Sequence, residues 1–445
     1  MNTPRDSRLS PLSPVFLLLI FLSSSCATER DALTTLQEAA FAQWPEFGMC
    51  HALASASSSP ELLQSLGIQW AREDFPWARI EAKQGEWNFA YTDELCDKAD
   101  EAGVQILAIL CYDTPWIHDA PNPPRFVPQE KLHHWLDYVE QTVRRYKNRV
   151  GAFEIWNEPN FPRFWQGKNQ DFFALTKATV ERIHSIDPTV KVVVGGLMFH
   201  PILGAYGYLE NLFKSGALAQ ADALSIHPYG LTPESTSRRL RAAKQIMKKY
   251  QFQGELWVTE IGFPTGGAYP HAISPEKGGD YALKTMALYG EKGADAVFWY
   301  ALSDSFAQGQ APKGSSSEAF FGAVYSGGKP KQSGRTMAAL FPLLQGAQFN
   351  SMALINQSRL PLDARVYATK NGLQVLMIWS KWGRHQVQIE GWDFPLKHFS
   401  PSTGEWKNFN HSPIITLDSS PQIFIGPPPH GGTLTIHHAS SSLRE

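Results

Sequence analysis

Residues 47–344 repeat one pattern: a short run rich in β-branched and aromatic residues, a loop, and then an amphipathic stretch of about 10 to 20 residues. Strands that alternate with helices pair in parallel, and eight such units predict an α/β fold, a closed (β/α)8 TIM barrel. An open doubly wound sheet is the alternative, but no glycine-rich dinucleotide fingerprint follows the first run. The predicted strands are 47–51, 68–73, 105–111, 152–156, 192–196, 223–227, 256–261 and 296–300.

Helical periodicity fills the segments between these runs. A segment that begins at Pro128 places apolar residues at helical spacing as far as Val143, and residues 172–183 do the same. Gly103 and Gly293 directly follow such segments, where glycine commonly ends a helix. The alternation is therefore one of strands and helices, as the barrel requires.

The sequence changes character after a last helix at about 335–344. Short alternating runs follow at 366–368, 373–379, 386–389 and 414–417, separated by glycines and prolines. This pattern predicts a small C-terminal antiparallel β-sandwich. We therefore expect a catalytic barrel over 35–345 and an accessory sandwich over 346–440. The sandwich binds carbohydrate or braces the barrel, and we favour the brace.

The N-terminal segment has the composition of an export signal. Two arginines precede the apolar run 15–22, which is shorter than the roughly 20 residues that a transmembrane helix needs. We predict that residues 1–27 are a signal and that the protein is exported to the periplasm, secreted, or lipid-anchored to a bacterial membrane. Cleavage after Ala27 and lipid attachment at Cys26 both remain open.

Charge and motifs exclude several classes of function. The chain has 40 basic and 42 acidic residues and no basic cluster, so nucleic acid is not an expected partner. No P-loop, His-Glu-x-x-His or metal-spaced cysteine cluster occurs, and we expect no cofactor and no metal. Cys50, Cys96 and Cys111 lie in apolar stretches and are expected to be buried free thiols in a monomer.

Glutamates stand at the C-terminal ends of two predicted strands, Glu158 just after 152–156 and Glu260 within 256–261. Glu158 closes the segment Ala-Phe-Glu-Ile-Trp-Asn-Glu, and Glu260 closes Leu-Trp-Val-Thr-Glu. Two carboxyl groups that face each other across a sugar can break a glycosidic bond, since one protonates the leaving oxygen while the other attacks or activates water. The strand ends therefore predict a glycosidase.

Other polar and aromatic residues stand at the same ends, where the active site of a TIM barrel forms. Trp165, farther into a loop, suits sugar stacking or loop packing equally well, as does Trp116. Glu154, within the fourth run, is expected to be structural. The strand-end candidates are Arg72, Asp113, Trp116, Asn157, His227, Tyr229, Trp299 and Tyr300.

In this arrangement the chain resembles the retaining glycoside hydrolases of clan A. The resemblance implies that Glu158, after Asn157, is the acid/base and that Glu260 is the nucleophile. The clan's remaining strand-end positions are matched by Arg72, by His227-Pro228-Tyr229 and by Trp299. An exported barrel with a C-terminal sandwich is similar to family 39, and most similar in layout to its endoglycosidases of bacterial exopolysaccharide.

The resemblance implies double displacement on the β-glycosidic bonds of a polysaccharide or oligosaccharide, with an endo-acting enzyme of bacterial exopolysaccharide as the favoured interpretation. An exo-acting, xylosidase-like β-glycosidase and a transglycosylase remain alternatives. A non-catalytic carbohydrate-binding barrel is the least favoured, because both glutamates are present.

Overall fold

The structure is a computed structural model that describes residues 43–118, 125–267, 272–350, 354–356, 360–392, 395–410 and 414–438. The predicted signal at 1–27, with Cys26, lies outside these residues. Every helix in the described ranges falls short of the length and apolar character that a bilayer crossing requires.

Eight parallel strands form a closed barrel in chain order, with β8 pairing with β1. All eight predicted runs are strands, with bounds that differ by a few residues, and the TIM-barrel prediction is confirmed. The strands are β1 Glu46–Cys50, β2 Trp70–Pro76, β3 Gln105–Cys111, β4 Ala152–Ile155, β5 Lys191–Met198, β6 Ala223–His227, β7 Glu255–Ile261 and β8 Ala296–Trp299.

Helices surround the barrel. In the described ranges they are α1 Pro60–Ser65, α2 Trp77–Ile80, α3 Ala90–Ala102, α4 Leu132–Tyr146, α5 Asn169–Ile186, α6 Ala205–Lys214, α7 Pro233–Lys249, α8 Lys277–Glu291 and α9 Gln332–Leu344. Short 3₁₀ turns lie at Pro115–Ile117, Gln129–Lys131, Pro201–Leu203, Ser317–Phe320 and His430–Gly432.

Local sequence explains where several helices begin and end. Thr232 accepts from the backbone N–H of Ser235, and the Ser235 side chain accepts from the Thr232 N–H, which forms a capping box at the start of α7. Gly103 ends α3 with φ 68°, a left-handed conformation that glycine adopts without steric cost. The segment expected to begin at Pro128 starts as a 3₁₀ turn and becomes α-helical at Leu132.

Two sheets follow the barrel. One has the strand order β15-β14-β17-β12-β11-β9 and the other β10-β18-β13-β16. The strands are β9 Gln348–Phe349, β10 Leu354–Asn356, β11 Leu362–Ala368, β12 Gln374–Ser380, β13 His385–Glu390, β14 Leu396–Ser400, β15 Glu405–Phe409, β16 Ile414–Leu417, β17 Gln422–Gly426 and β18 Leu434–His438.

The sandwich is antiparallel with one exception among the described pairs. β10 runs parallel to β18, whose other neighbour β13 is antiparallel. The strand β10 thereby covers an edge of β18 that would otherwise offer unpaired backbone groups.

The six-stranded sheet has two buried faces. Leu376 and Phe424 pack toward the second sheet, whereas Val375 and Phe399 belong to the same apolar cluster as the barrel and its helices. Arg365 on β11 is 4% exposed and donates from Nε to Glu291 at the end of α8, over 2.9 Å. These contacts support the expected role of the sandwich as a brace.

The cysteines are as expected: Cys50, Cys96 and Cys111 are buried and free. The described barrel elements run from Glu46 to Leu344, and the described sandwich strands run from Gln348 to His438. The domain boundaries at 35–345 and 346–440 stay predictions.

Candidate active site

The carboxyl ends of the parallel strands bring most of the predicted residues together. Arg72 lies on β2, His227 ends β6, and Glu260 lies near the end of β7. Asn157 and Glu158 directly follow β4, and both are buried. The site is thus built on the rigid barrel, at the end where enzymes of this fold carry their chemistry.

The backbone after β4 turns sharply to place Glu158. Trp156 has φ 66° and Glu158 has φ 47°, a left-handed region that few residues other than glycine occupy. The Glu158 N–H donates to the Gly196 carbonyl at the end of β5 over 2.9 Å, which holds this turn. Such conformations are sparsely populated and cluster at functional sites.

Arg72 is the hub of the site and is 1% exposed. Its Nη1 donates to Glu260 Oε1 over 2.6 Å, and its Nη2 donates to Asn157 Oδ1 over 2.9 Å. Its Nε donates to Glu154 Oε2 over 2.6 Å. The planar guanidinium therefore fixes groups from β4 and β7 in one arrangement.

Glu154 is a structural partner, as expected from its place inside β4. Its Oε2 pairs with Arg72, and its Oε1 accepts from Ser225 Oγ over 2.6 Å and from Thr259 Oγ1 over 2.8 Å. It is fully buried. Three donors on one buried carboxylate satisfy the polar groups beneath the site.

His227 joins the two glutamates. Its Nδ1 lies 3.0 Å from Glu158 Oε1 and 3.7 Å from Glu260 Oε2, and its Nε2 lies 3.0 Å from Thr259 Oγ1. Tyr229 OH donates to Glu260 Oε2 over 3.0 Å. One ligand atom each from Glu158, His227 and Glu260 all lie within 4.8 Å of one another, so the carboxyl groups face each other at short range.

Among the described residues, Glu158, His227 and Glu260 are also a group whose ligand atoms lie close enough together to hold a metal ion. The Arg72 guanidinium already contacts Glu260 over 2.6 Å, and its positive charge disfavours a second cation there. The expectation that the enzyme uses no metal and no cofactor stays a prediction.

The environment moves the pKa values of the two glutamates in opposite directions. Burial raises the pKa of Glu158, and the hydrogen bond and charge of His227 only partly oppose this. Burial would also raise the pKa of Glu260, but the charges of His227, Arg72 and His51 and the Tyr229 hydrogen bond outweigh it, so this pKa is lowered. One group thus favours the protonated form and the other the ionised form.

Trp299 and Tyr300 lie at the end of β8. Trp299 is 3% exposed, and its Nε1 has no hydrogen-bond partner among the described residues. The Tyr300 ring contacts His51 at 5.8 Å and Phe321 at 5.5 Å between centroids. A buried donor without a partner is costly unless a ligand satisfies it.

The remaining candidates lie after β3 and β4 and pack within the protein. Asp113 Oδ2 lies 2.7 Å from His118 Nε2, and Trp116 Nε1 donates to the Glu81 carbonyl over 2.8 Å. Trp165 is 4% exposed, and its ring packs against Trp156 at 5.2 Å. The structure therefore favours packing over sugar stacking for Trp165.

Two residues near the glutamates were missed by the sequence reasoning. His51, at the end of β1, contributes to the field at Glu260. Glu318, in the 3₁₀ turn after β8, interacts electrostatically with Glu260 and Glu158 and hydrogen-bonds with Tyr300. His51 is the last residue of the predicted strand 47–51, a position that could have identified it, whereas Glu318 lies in a long loop without periodicity.

A barrel with facing glutamates after strands four and seven is the arrangement of the clan A glycoside hydrolases. The family model "Glycosyl hydrolases family 39" matches residues 61–257, which include Arg72 and Glu158 and end just before Glu260. The chain is therefore most like the glycoside hydrolases of family 39.

Relatives agree with this assignment. A β-xylosidase of Geobacillus stearothermophilus is 33% identical over 122 residues, and the alignment spans 24% of this chain and only 24% of that relative. A family 39 glycoside hydrolase from Bacteroides cellulosilyticus WH2 has the same fold, with a TM-score of 0.71, 19% identity and coverage of 86% of this chain and 81% of its own. A family 39 β-xylosidase from Caulobacter crescentus aligns with a TM-score of 0.64 and 15% identity, over 88% of this chain and 98% of its own.

The pKa shifts predict a bell-shaped dependence of kcat/KM on pH with an aryl glycoside. Activity should rise as pH increases through the lowered pKa of Glu260, which must be ionised, and fall through the raised pKa of Glu158, which must be protonated. Glu158→Gln removes the group that titrates on the basic side. With a dinitrophenyl leaving group, the basic limb should disappear while the acidic limb stays.

The exposed Glu86, whose side chain is 69% accessible, provides the matched control. Glu86→Gln should keep both limbs. If the basic limb persisted in Glu158→Gln, that limb would belong to another group, and the acid role of Glu158 would be wrong.

Proposed function

We propose that the protein is a retaining glycoside hydrolase that cleaves β-glycosidic bonds of a polysaccharide by double displacement. The observation that carries the proposal is the approach of the Glu158 and Glu260 carboxyl groups, which lie with His227 within 4.8 Å. Retaining enzymes hold their carboxyl groups about 5 to 5.5 Å apart, whereas inverting enzymes need roughly 6.5 to 9.5 Å to admit water.

In the first step, Glu260 attacks the anomeric carbon as Glu158 gives its proton to the glycosidic oxygen. The leaving sugar departs with that proton, and a glycosyl ester forms on Glu260. In the second step, Glu158 takes a proton from water, the water oxygen bonds to the anomeric carbon, and the ester bond to Glu260 breaks. The same group serves as acid and then as base.

The surrounding residues prepare this sequence. Arg72 and Tyr229 each donate to Glu260, so they stabilise the carboxylate that must attack. Burial favours the protonated form of Glu158 until the leaving group needs the proton. Asn157 is held by Arg72 Nη2, and its side-chain amide is the group we assign to the sugar 2-hydroxyl.

Azide rescue tests the separate roles of the two glutamates. Glu158→Ala should still form the glycosyl-enzyme from a dinitrophenyl β-glycoside, because that leaving group needs no proton. Azide, which needs no deprotonation, should then accelerate turnover and give a β-glycosyl azide. Glu260→Ala with azide should give an α-glycosyl azide, because azide replaces the nucleophile itself.

Nuclear magnetic resonance of the azide products identifies the anomers. The same anomer from both variants would refute the assigned roles, whatever the residual activity of each. A mechanism-based fluorosugar that labelled a carboxylate other than Glu260 in the wild type would do the same.

The favoured substrate is a bacterial exopolysaccharide cut internally, and an exo-acting β-xylosidase is the second candidate. The second is favoured by two of the matched relatives, which are described as β-xylosidases. Transglycosylation shares the first step and differs only in the acceptor of the second.

Product analysis separates these candidates. Wild-type protein is incubated with β-xylo-oligosaccharides and with soluble bacterial exopolysaccharides, and early products are sized by mass spectrometry. An endo-acting enzyme should release a series of oligosaccharides, whereas an exo-acting xylosidase should release xylose alone. Products longer than the substrate would indicate transglycosylation, and Glu260→Gln should give none of these.

Export is part of the proposal, supported by the apolar run before Cys26. Mass spectrometry of the mature N-terminus from the native host tests it. A lipid adduct on Cys26 is expected for the anchored form, and a free terminus at Thr28 is expected for the secreted form. An intact Met1 would contradict both.

A further inference from the structure

The hairpin between β14 and β15 lies at the catalytic end of the barrel. The Pro401 carbonyl in this hairpin accepts from Gln332 Nε2 over 2.7 Å, at the start of α9. A Cβ added to Gly279, at the start of α8, would meet the same carbonyl at 2.3 Å. Because barrel helices run back against the strands, their starts lie at the end where the strands deliver catalytic residues.

An exposed tryptophan follows this hairpin on the edge strand. Trp406 on β15 is 45% exposed, and its ring centroid lies 5.0 Å from that of the buried Phe399 on β14. Phe399 is paired with Trp406, and Lys397 is paired with Asn408, so these side chains share one face of the sheet. We call Trp406, Asn408 and Lys397 the rim patch.

A small cavity lies among the loops that follow β7 and β8. Its volume is about 170 Å³, and its lining includes the aromatic residues Phe306, Phe320 and Tyr325. Phe320 belongs to the same 3₁₀ turn as Glu318, which interacts with both catalytic glutamates. The Thr265 N–H, in the loop that follows Glu260, donates to the Phe320 carbonyl over 3.1 Å, so the two strand-end loops meet at this cavity.

Tyr325, which lines the cavity, lies on the part of the loop that leads to α9 and the hairpin. Tyr325 interacts electrostatically with Arg335 on α9, and Arg335 Cδ lies 3.5 Å from the Cβ position of Gly404. Gly404 immediately precedes β15, which carries Trp406. The loop after β8 and the helix α9 thus connect the lining of the cavity to the hairpin that precedes Trp406.

The chemistry of this surface suits a sugar chain. Aromatic rings offer flat apolar faces for the C–H faces of pyranoses, and the amide of Asn408 and the ammonium of Lys397 can bond to hydroxyl groups. Pairing of β15 with a second copy is disfavoured, because Glu405 and Lys407 place charges on this edge strand. A single exposed aromatic residue needs no explanation by itself, but this one follows a hairpin that contacts the catalytic end of the barrel.

We propose that the cavity and the rim patch extend the substrate site, so that a polysaccharide held by Glu158 and Glu260 continues over the loop after β8 and rests on Trp406. The inference rests on the proposed function and deepens it. The sandwich is then part of the substrate-binding surface as well as a brace. Contact with Trp406 would make the enzyme bind long sugar chains more tightly than short ones.

The test compares Trp406→Ala with the wild type on a polymer and on a small substrate. The polymer is whichever soluble polysaccharide of the product panel is cleaved, and the small substrate is a dinitrophenyl β-glycoside. KM for the polymer should rise about tenfold, a loss of about 1.4 kcal/mol, because the variant lacks the aromatic face on which the sugar rests. Kinetic constants for the aryl glycoside should not change, because that substrate occupies the catalytic centre alone.

Trp382, which is 68% exposed in the turn between β12 and β13, provides the matched control. Trp382→Ala should leave both KM values unchanged. Equal increases in the polymer KM of the two tryptophan variants would overturn the proposal. So would an unchanged polymer KM in Trp406→Ala with a preserved thermal midpoint of unfolding. A change in oligomeric mass without a change in polymer affinity would assign Trp406 to self-association instead.

Binding separates this proposal from the proposed function. Electrophoresis of Glu158→Gln in gels that contain soluble β-1,4-xylan or an exopolysaccharide measures retardation without turnover. Adding Trp406→Ala should abolish most of the retardation. If retardation of the protein depended on Trp406 but the wild type cleaved no glycoside, the proposed hydrolase function would be wrong and the proposed binding surface would stand. If the wild type cleaved a polymer but its retardation did not depend on Trp406, the hydrolase function would stand and the proposed binding surface would be wrong.

Discussion

The site depends on one buried cation. Arg72 is 1% exposed and bonds at once to Glu154, Asn157 and Glu260, which come from two different strands. A buried guanidinium is tolerable only with its charge and its donors matched, so the two carboxylates and the amide stabilise Arg72 as much as it positions them. Glu260, the proposed nucleophile, is held ionised by a guanidinium buried in the barrel. Stability and reactivity therefore rest on the same interaction.

The hydrogen bonds also assign the proton on His227. A hydroxyl has one hydrogen, and that of Thr259 goes to Glu154, so Thr259 must accept from His227 Nε2–H. Nδ1 lies 3.0 Å from Glu158 Oε1 on the other side of the ring. The charge of His227, whose Nδ1 is 3.7 Å from Glu260 Oε2, helps to lower the pKa of Glu260.

The sequence predicts the barrel well because most of its strands contain a short apolar run, as in β3 and β8, and alternate with helical segments. It predicts the sandwich less well, since β15 reads Glu-Trp-Lys-Asn-Phe and has no apolar face of its own. Its order comes from pairing with β14, a long-range contact. The positive φ of Glu158 and the position of Glu318 near the two glutamates likewise depend on contacts between distant segments. Local sequence carries no signal for them.

The wall of the site and the sandwich are mechanically connected. A Cβ on Gly267 would meet Ser317 Cα at 2.6 Å, and a Cβ on Gly266 would meet the Phe320 ring at 2.8 Å, so the 3₁₀ turn packs directly on the loop that follows Glu260. The 3₁₀ turn belongs to the long loop after β8, which leads into α9. Gln332 at the start of α9 donates a hydrogen bond to the hairpin of the sandwich. A loop fixed at both ends keeps Glu318 beside the catalytic pair. Through these contacts the sandwich helps to hold the loop that carries Glu318, in addition to covering apolar surface of the barrel.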